Sequence, residues 1–285
     1  MNTTKTKKPR MLFSAFLRKY GRMLIGGVII ATVIFCVVFA PLLTKYDPEA
    51  VANDIADFKQ PPNEEHWLGT DIYGRDMWSR IIYGGRTTLL VSFGAQCTLI
   101  IIGTVLGLLC GYYNKVEKYL MRFLEAMATI PSLLFTMLMI SVFGSGVPQM
   151  IIAMSIFGVP GLARMIRNQV LSLREKEYIE SEKAMGASDL RTVILHILPA
   201  CSSYLLVRFS NGLAGMLLSM TSLTYLGVGL DPTTASWGGM VNDGQRIMFA
   251  VPHVITIPTF VISITMFGFV MLGDGLRDLL DPRLK

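Results

Sequence analysis

Glu177-Tyr178-Ile179-Glu180-Ser181-Glu182-Lys183-Ala184-Met185-Gly186-Ala187-Ser188 is a polar stretch set between two strongly apolar ones. Charges and a turning backbone cannot be satisfied in hydrocarbon, so a segment like this has to leave a bilayer if its neighbours cross one. Its spacing predicts a short helix, a break at Gly186 where glycine takes the left-handed conformation cheaply, and a second helix starting from Ser188 as N-cap. Leu190, Val193, Ile194 and Ile197 would form the apolar face of that second helix, which is expected to end at Leu198-Pro199.

The rest of the chain agrees with a membrane. Of its 285 residues 52% are hydrophobic and 16% charged, against the roughly 25% charged residues of soluble domains. The mean hydropathy is +0.50. Apolar runs near the roughly 20 residues that span a bilayer occur at Met23–Leu43, Thr87–Tyr112, Tyr119–Phe143, Pro148–Ile166, Ser202–Gly227 and Val254–Gly273. The first, at 21 residues, is longer than a signal-peptide core and has no small-residue cleavage site behind it, so it reads as an uncleaved span. The fold class is therefore all-α, a polytopic membrane protein with six transmembrane helices and both termini on one side.

Charge sets the orientation. With the termini inside, nineteen Lys and Arg lie inside and six outside (Lys45, Lys59, Arg75, Arg80, Arg86 and Arg246), with Arg208 within a span. The positive-inside rule then gives N-in/C-in. The formal charge of +6 follows from topology and gives no reason to invoke nucleic acid. The expected division is a cytoplasmic tail over 1–22 and a first span with extracytoplasmic segment over 23–86. A five-helix core over 87–275 follows, containing a cytoplasmic loop over 174–200, and then a tail over 276–285. Within Tyr46–Arg86, Met77, Trp78, Ile81 and Ile82 share one face opposite Asp76 and Arg80, which predicts a helix lying in the interface. The second outer segment, Leu230–His253, reads as an irregular Gly-rich run around Trp237.

Several chemistries lack their residues. There is no GxxxxGK[ST] and no Gly-Lys dipeptide to cradle ATP phosphates, no HExxH and no GxSxG. Cys36, Cys97, Cys110 and Cys201 are dispersed, as are His66, His196 and His253, so no metal site is expected and the thiols read as small buried hydrophobes. Arg208, Asn211, Gly215, Ser219 and Ser222 form a polar or small-residue stripe in the fifth span. A stripe of this kind serves either a substrate pathway or close helix packing. Arg122 and Glu125 are spaced for a local ion pair.

Glu180 to Ser188, followed by His196-Ile197-Leu198-Pro199, resembles the EAA signature of binding-protein-dependent ABC importer permeases. The two alanines after the first Glu of that signature are Ser181 and Glu182 here. His66-Trp67-Leu68-Gly69-Thr70-Asp71-Ile72-Tyr73-Gly74-Arg75-Asp76-Met77-Trp78-Ser79-Arg80, Ser236-Trp237-Gly238-Gly239-Met240 and Gly273-Asp274-Gly275-Leu276-Arg277-Asp278 are similar to the "C"-type subunit of the dipeptide/oligopeptide/nickel group. Met220 stands where related chains commonly carry Glu.

The resemblance implies the type I ABC importer permease fold in the cell (inner) membrane, multi-pass and without enzymatic activity of its own. It implies a second homologous permease, two ABC ATPase subunits that bind ATP and Mg, and an extracytoplasmic substrate-binding protein. The ATPase-coupling residues would be Glu180, Ser181, Glu182, Lys183, Ala184, Gly186, Ala187 and Ser188. On the pathway reading of the fifth-span stripe, which its spacing and not the resemblance suggests, the residues involved would be Arg208, Asn211, Ser219 and Ser222. Peptides are the expected cargo, with nickel or a metal chelate as the alternative. An intramembrane enzyme and an ATP-independent channel are the readings from other classes. The first lacks two convergent catalytic groups at membrane depth. The second would show as passive flux without any ATPase.

Overall fold

A computed structural model describes residues 9–52, 54 and 57–280. Of the expected tails over 1–22 and 276–285, residues 1–8 and 281–285 lie outside the described residues. The elements are α1 (Pro9–Val38), α2 (Ala40–Leu43), α3 (Met77–Tyr112), α4 (Asn114–Ala128), α5 (Ser132–Phe143) and α6 (Val147–Arg174). They continue with α7 (Glu177–Ala184), α8 (Asp189–Thr192), a π-helical turn (Val193–Ile197), α9 (Leu198–Tyr225), α10 (Trp237–Gln245) and α11 (His253–Leu280). Among the described residues the one β feature is an isolated bridge between Thr70 and Asp76.

Among the described residues five helices are long and apolar enough to cross a membrane, and six spans result if the bent pair α4–α5 counts as one. The expected span Tyr119–Phe143 falls on that pair and is broken within it. It bends by 95° at Thr129–Pro131. Proline has no N–H to donate, and its ring disfavours a helical residue before it, here Ile130. α5, with 12 residues, is about 18 Å long, short of the roughly 30 Å hydrocarbon core. α4 carries Lys115, Glu117, Lys118, Arg122 and Glu125, too many charges to be buried in lipid. Glu125 lies 3.9 Å from Arg164 of α6, so the ion pair expected with Arg122 is replaced by a contact between helices.

The expected interfacial helix is likewise absent as a separate element. Residues 77–86 begin the 36-residue α3, and Met77, Ile81, Asp76 and Arg80 are all buried. Nothing in this stretch breaks a helix, and its charges find protein partners, so they need no water. The Gly-rich outer run is also ordered, as α10. Ser236 caps it by accepting from Gly239 N, and Trp237 Nε1 donates to Ile81 O at 2.8 Å.

α3 packs along α6, α1 along α11, and α9 lies between α3 and α11 with α10 over its end. The α3–α6 seam shows why the sequence permits this. Gly103, Gly107 and Gly111 face Leu162, Ile166 and Val170, and a methyl group on any of the three glycines would come within 2.7 Å of those side chains. Between lipid-bathed helices there is little hydrophobic drive to associate, so backbone closeness of this kind supplies the packing. One buried cluster gathers α3, α4, α6 and both ends of α9 with Ile140 of α5, Ile179 and Ile197. A second gathers α1, α10, α11 and the outer end of α3. The polar stretch 177–188 hangs from the first.

Candidate functional site

The helix–Gly–helix element is built as follows. α7 has Glu177 and Glu180 in its first turn and Lys183 in its last, each complementing the helix dipole. Ile179 is fully buried and anchors it. At its end Ala187 N donates to Glu182 O at 3.2 Å and Gly186 N to Lys183 O at 3.0 Å, with Gly186 at φ +85°. These paired bonds are a Schellman motif, which closes a helix at a left-handed residue. Ser188 is the N-cap of α8 by backbone conformation, but its side chain makes no capping bond.

The second helix does not stop at Leu198-Pro199. It passes through the π turn, where Leu198 N reaches back five residues to Val193 O, and runs on into α9 as one 37-residue helix, Asp189–Tyr225. The wider π turn takes up the carbonyl that a proline would otherwise strike, a known means of carrying a helix past an interruption. Nor are the four apolar residues buried as one face. Ile197 is buried and Val193 half-buried, while Leu190 and Ile194 are exposed.

Two braces hold the element, and sequence reasoning missed both. Tyr112, at the end of α3, donates its hydroxyl to Asp189 Oδ1 at 2.8 Å, and Lys183 Nζ sits 4.8 Å over its ring. Glu182 is half-buried, with Oε1 3.1 Å from His196 Nε2 and 4.0 Å from Arg191 Nε. The departure from the EAA pattern at Glu182 therefore ties the two arms together. The available signal was His196 in the same loop as an unexpected acid. Glu180, Ser181, Lys183, Ala184, Gly186 and Ser188 are exposed and Ala187 half-buried. Met185 at 81% and Leu190 at 68% exposure form an apolar tip amid these charges.

The proposed pathway stripe is divided. Ser219 and Gly215 are exposed, and Arg208 and Ser222 half-buried. Asn211 turns into the α9–α11 contact, where a methyl on Gly273 would come to 2.0 Å from its Oδ1. Its placement matches the close-packing alternative. Met220 is fully buried.

At the other end of the bundle the motif around Asp71 folds into a charged cluster. Asp71 accepts from Tyr73 N, Arg75 N and Arg75 Nε at 2.8, 2.9 and 2.7 Å. Arg75 Nη2 donates to Asp243 Oδ2 of α10 at 2.8 Å, joining residues 168 apart in sequence. Burial pushes the Asp243 carboxyl upward in pKa, opposed by the nearby Arg75 and Arg80. Asp76 caps α3 by accepting from Ser79 N at 2.7 Å.

The arrangement has no cluster of three metal-ligating side chains among the described residues. What it offers is a bundle with open apolar sides and a braced polar element projecting from one end, the form of a membrane-embedded transport permease. A family model described as binding-protein-dependent transport system inner membrane component matches residues 103–285. The chain belongs to that family. A second model, the N-terminal TM domain of oligopeptide transport permease C, matches residues 16–62.

The dipeptide transport system permease protein DppC of Alkalihalophilus pseudofirmus is 36% identical, covering 94% of this chain and 88% of that protein. The glutathione transport system permease protein GsiD of Pectobacterium atrosepticum is 36% identical, covering 97% and 91%. A solved inward-facing structure of the MetNI methionine ABC transporter aligns with TM-score 0.54 at 19% identity, over 72% of this chain and 98% of that one, a likeness of fold. The chain is thus a multi-pass inner-membrane permease subunit of a binding-protein-dependent ABC transporter, and not an enzyme. Its family works with an ATPase on another chain and with a substrate-binding protein.

Proposed function

We propose that this permease carries peptides, received from an extracytoplasmic binding protein, through a pore shared with a second homologous permease and driven by two ATPase subunits that hold ATP and Mg. The observation that carries the peptide reading is the naming of full-length relatives for dipeptide and glutathione transport. These names favour peptides over nickel or a metal chelate. The orientation is N-in/C-in, supported by the excess of Lys and Arg on that side.

Glu180–Ser188 is the ATPase-coupling element in this reading. Its support is physical: an exposed apolar tip at Met185 and Leu190, set in charge, on a braced helix pair continuous with α9. Closure of the ATPases would push this element, and α9 would pass the push into the bundle, giving alternating access. Arg208, Ser219 and Ser222 lie on the half-open side of α9 and are assigned to the pathway, with Asn211 contributing packing. The test is ATP-dependent uptake of a labelled dipeptide by the complete transporter in proteoliposomes, with a nickel chelate as competitor. Uptake that is suppressed by the chelate but not by unlabelled dipeptide would overturn the peptide assignment.

A further inference from the structure

α4 carries charge where a spanning helix would be apolar, and it is turned aside from the bundle. It meets α5 at 95°. Against α6, Glu117 pairs with Arg167 and Glu125 with Arg164. Between these contacts α4 advances eight residues (117 to 125), about 12 Å, and α6 three (167 to 164), about 4.5 Å, so the helices cross steeply. Arg174 Nη1, in the last turn of α6, donates to Asn114 Oδ1 at 2.9 Å. The start of α4 therefore sits at the end of the bundle that carries 177–188.

Around its axis α4 has three sectors. Met121 and Leu124 are buried in the core shared with α3 and α6. Val116, Tyr119 and Phe123 form an apolar row, with Tyr119 72% and Phe123 62% exposed. Lys115, Lys118 and Arg122 form a cationic row of the same three-and-four spacing, one residue back, and all three are exposed. At 3.6 residues per turn the three sectors stand roughly a third of a turn apart. Protein on one side, hydrocarbon on the second and water on the third is the setting of a helix lying in a membrane interface.

Between α4 and α6 lies an open groove of about 440 Å³. Lys118, Arg122, Arg164 and Arg167 line it against Glu117 and Glu125. Arg167 Nε donates to Glu117 Oε1 at 2.7 Å, and Arg164 stands 3.9 Å from Glu125. Four cations less two carboxylates leaves Lys118 and Arg122. Among the described residues neither has an ion pair or hydrogen bond, and Lys118 has only the Tyr119 ring, 5.9 Å from its Nζ. Asn114 and Asn168 accept through Oδ1 from Arg174 and Arg167, which leaves their amide N–H groups as further donors. What remains unsatisfied in the groove is positive and donating, and its two free cations are open to solvent.

We propose that α4 lies in the membrane interface and that its groove with α6 holds the headgroup of an anionic phospholipid. Lys118 and Arg122 pair with the phosphate, and Tyr119 and Phe123 rest among the acyl chains. Charge-assisted bonds from Arg and Lys to phosphate are stronger than neutral ones. The excess of two positive charges favours a headgroup whose phosphate is not matched by its own ammonium. The adjoining apolar row selects a lipid over a free phosphate, which has no use for Tyr119 and Phe123. A lipid held here fixes one side of the α4–α5 break and, through Asn114 and Arg174, the base of 177–188, so ATP hydrolysis by the transporter depends on it.

The purified complete transporter, stripped of lipid and incubated with phosphatidylglycerol or phosphatidylcholine, tests the site by native mass spectrometry of the lipid it retains. At about fivefold per basic residue near a membrane surface, Lys118→Gln with Arg122→Gln should weaken phosphatidylglycerol retention at least tenfold. Phosphatidylcholine retention should not change. Lys59→Gln with Arg246→Gln removes two exposed cations at the opposite end of the bundle and should retain lipid as the wild type does. Glycerol phosphate should not displace the bound phosphatidylglycerol. In proteoliposomes, ATP hydrolysis by the wild type should rise at least twofold when phosphatidylglycerol replaces half of the phosphatidylcholine, and the Lys118/Arg122 double variant should lose that response. Undiminished retention by that variant, an equal loss in the Lys59/Arg246 control, or displacement by glycerol phosphate would each overturn the lipid site. Release of the ATPase subunits from the Lys118/Arg122 variant would assign the cationic row to them instead and overturn it too. Wild-type hydrolysis indifferent to phosphatidylglycerol would overturn the site's control of the cycle. None of these readouts depends on what the transporter carries.

Discussion

Gly186 is the position at which the coupling assignment is most cleanly tested. Its φ of +85° is a conformation that costs an L-residue about 1–2 kcal/mol. A methyl group added there would meet nothing within 4 Å, so Gly186→Ala perturbs the backbone and nothing else. That cost corresponds to roughly a 5- to 30-fold fall in the population of the native turn. Gly186→Asn should lose less, because Asn visits the left-handed region more readily. Gly186→Pro should lose most, since proline holds φ near −65° and removes the N–H that donates to Lys183 O. The assay is ATP hydrolysis and dipeptide uptake measured together in proteoliposomes, with membrane insertion checked by protease protection. Transport per ATP should fall in the order Gly, Asn, Ala, Pro while insertion is unchanged. Normal transport by Gly186→Pro would refute the reasoning, since no form of that turn can then be needed.

Glu182→Ala should release His196 and Arg191 and loosen the loop by about 1 kcal/mol, seen as faster hydrogen exchange over 184–196, with Glu182→Gln intermediate. Arg75→Ala leaves Asp71 and Asp243 to Arg80 alone and should cost about 3–5 kcal/mol, read as a lowered thermal midpoint of the purified complex. Cysteines at Ser188 and Thr233 should react with impermeant reagent from opposite sides of the membrane, as the N-in/C-in assignment requires. Leu218→Gly softens an exposed stretch of α9 by about 1 kcal/mol and should reduce uptake more than ATP hydrolysis.

The positions of the apolar helices were legible because length and composition alone select a span. The turn at Gly186 was legible because its Schellman geometry is local. What escaped had to be decided at a distance. Pro131 and Pro199 look equivalent in sequence, yet the first bends the chain by 95° and the second is carried in a continuous helix. The difference is the π turn at Val193–Ile197, a tertiary adjustment that periodicity does not encode. Arg80 read as the polar side of a surface helix because its partners, Asp71 and Asp243, come from a loop and from α10. Tyr112 could be placed near an interface, but not against Asp189, 77 residues away. Asn211 fitted a polar stripe by spacing, and only the packing of Gly273 turns it toward α11.

The coupling element and a cavity lined by Arg80 stand at opposite ends of one helix. Asp189–Tyr225 is 37 residues, about 55 Å of continuous backbone. Thr224 at its far end lines the cavity. α10 is fixed to that end by direct backbone contact, since a methyl on Gly238 would come to 2.3 Å from Thr221 O. Packing this close leaves no room to slide, so α9 and α10 should move as one body, and the cluster of Arg75 with Asp243 carries the start of α3 along with them. Compliance must then lie elsewhere. The backbone offers it at Gly227 and Gly229, with φ of +76° and +104°, and at the break between α4 and α5. Gly227 and the neighbouring Val228 wall both the cavity and a groove along α5. A push at Ser188 would therefore carry α9, α10 and the start of α3 together, with the change of shape taken up beside α5, at Gly227 and Gly229 and at the α4–α5 break.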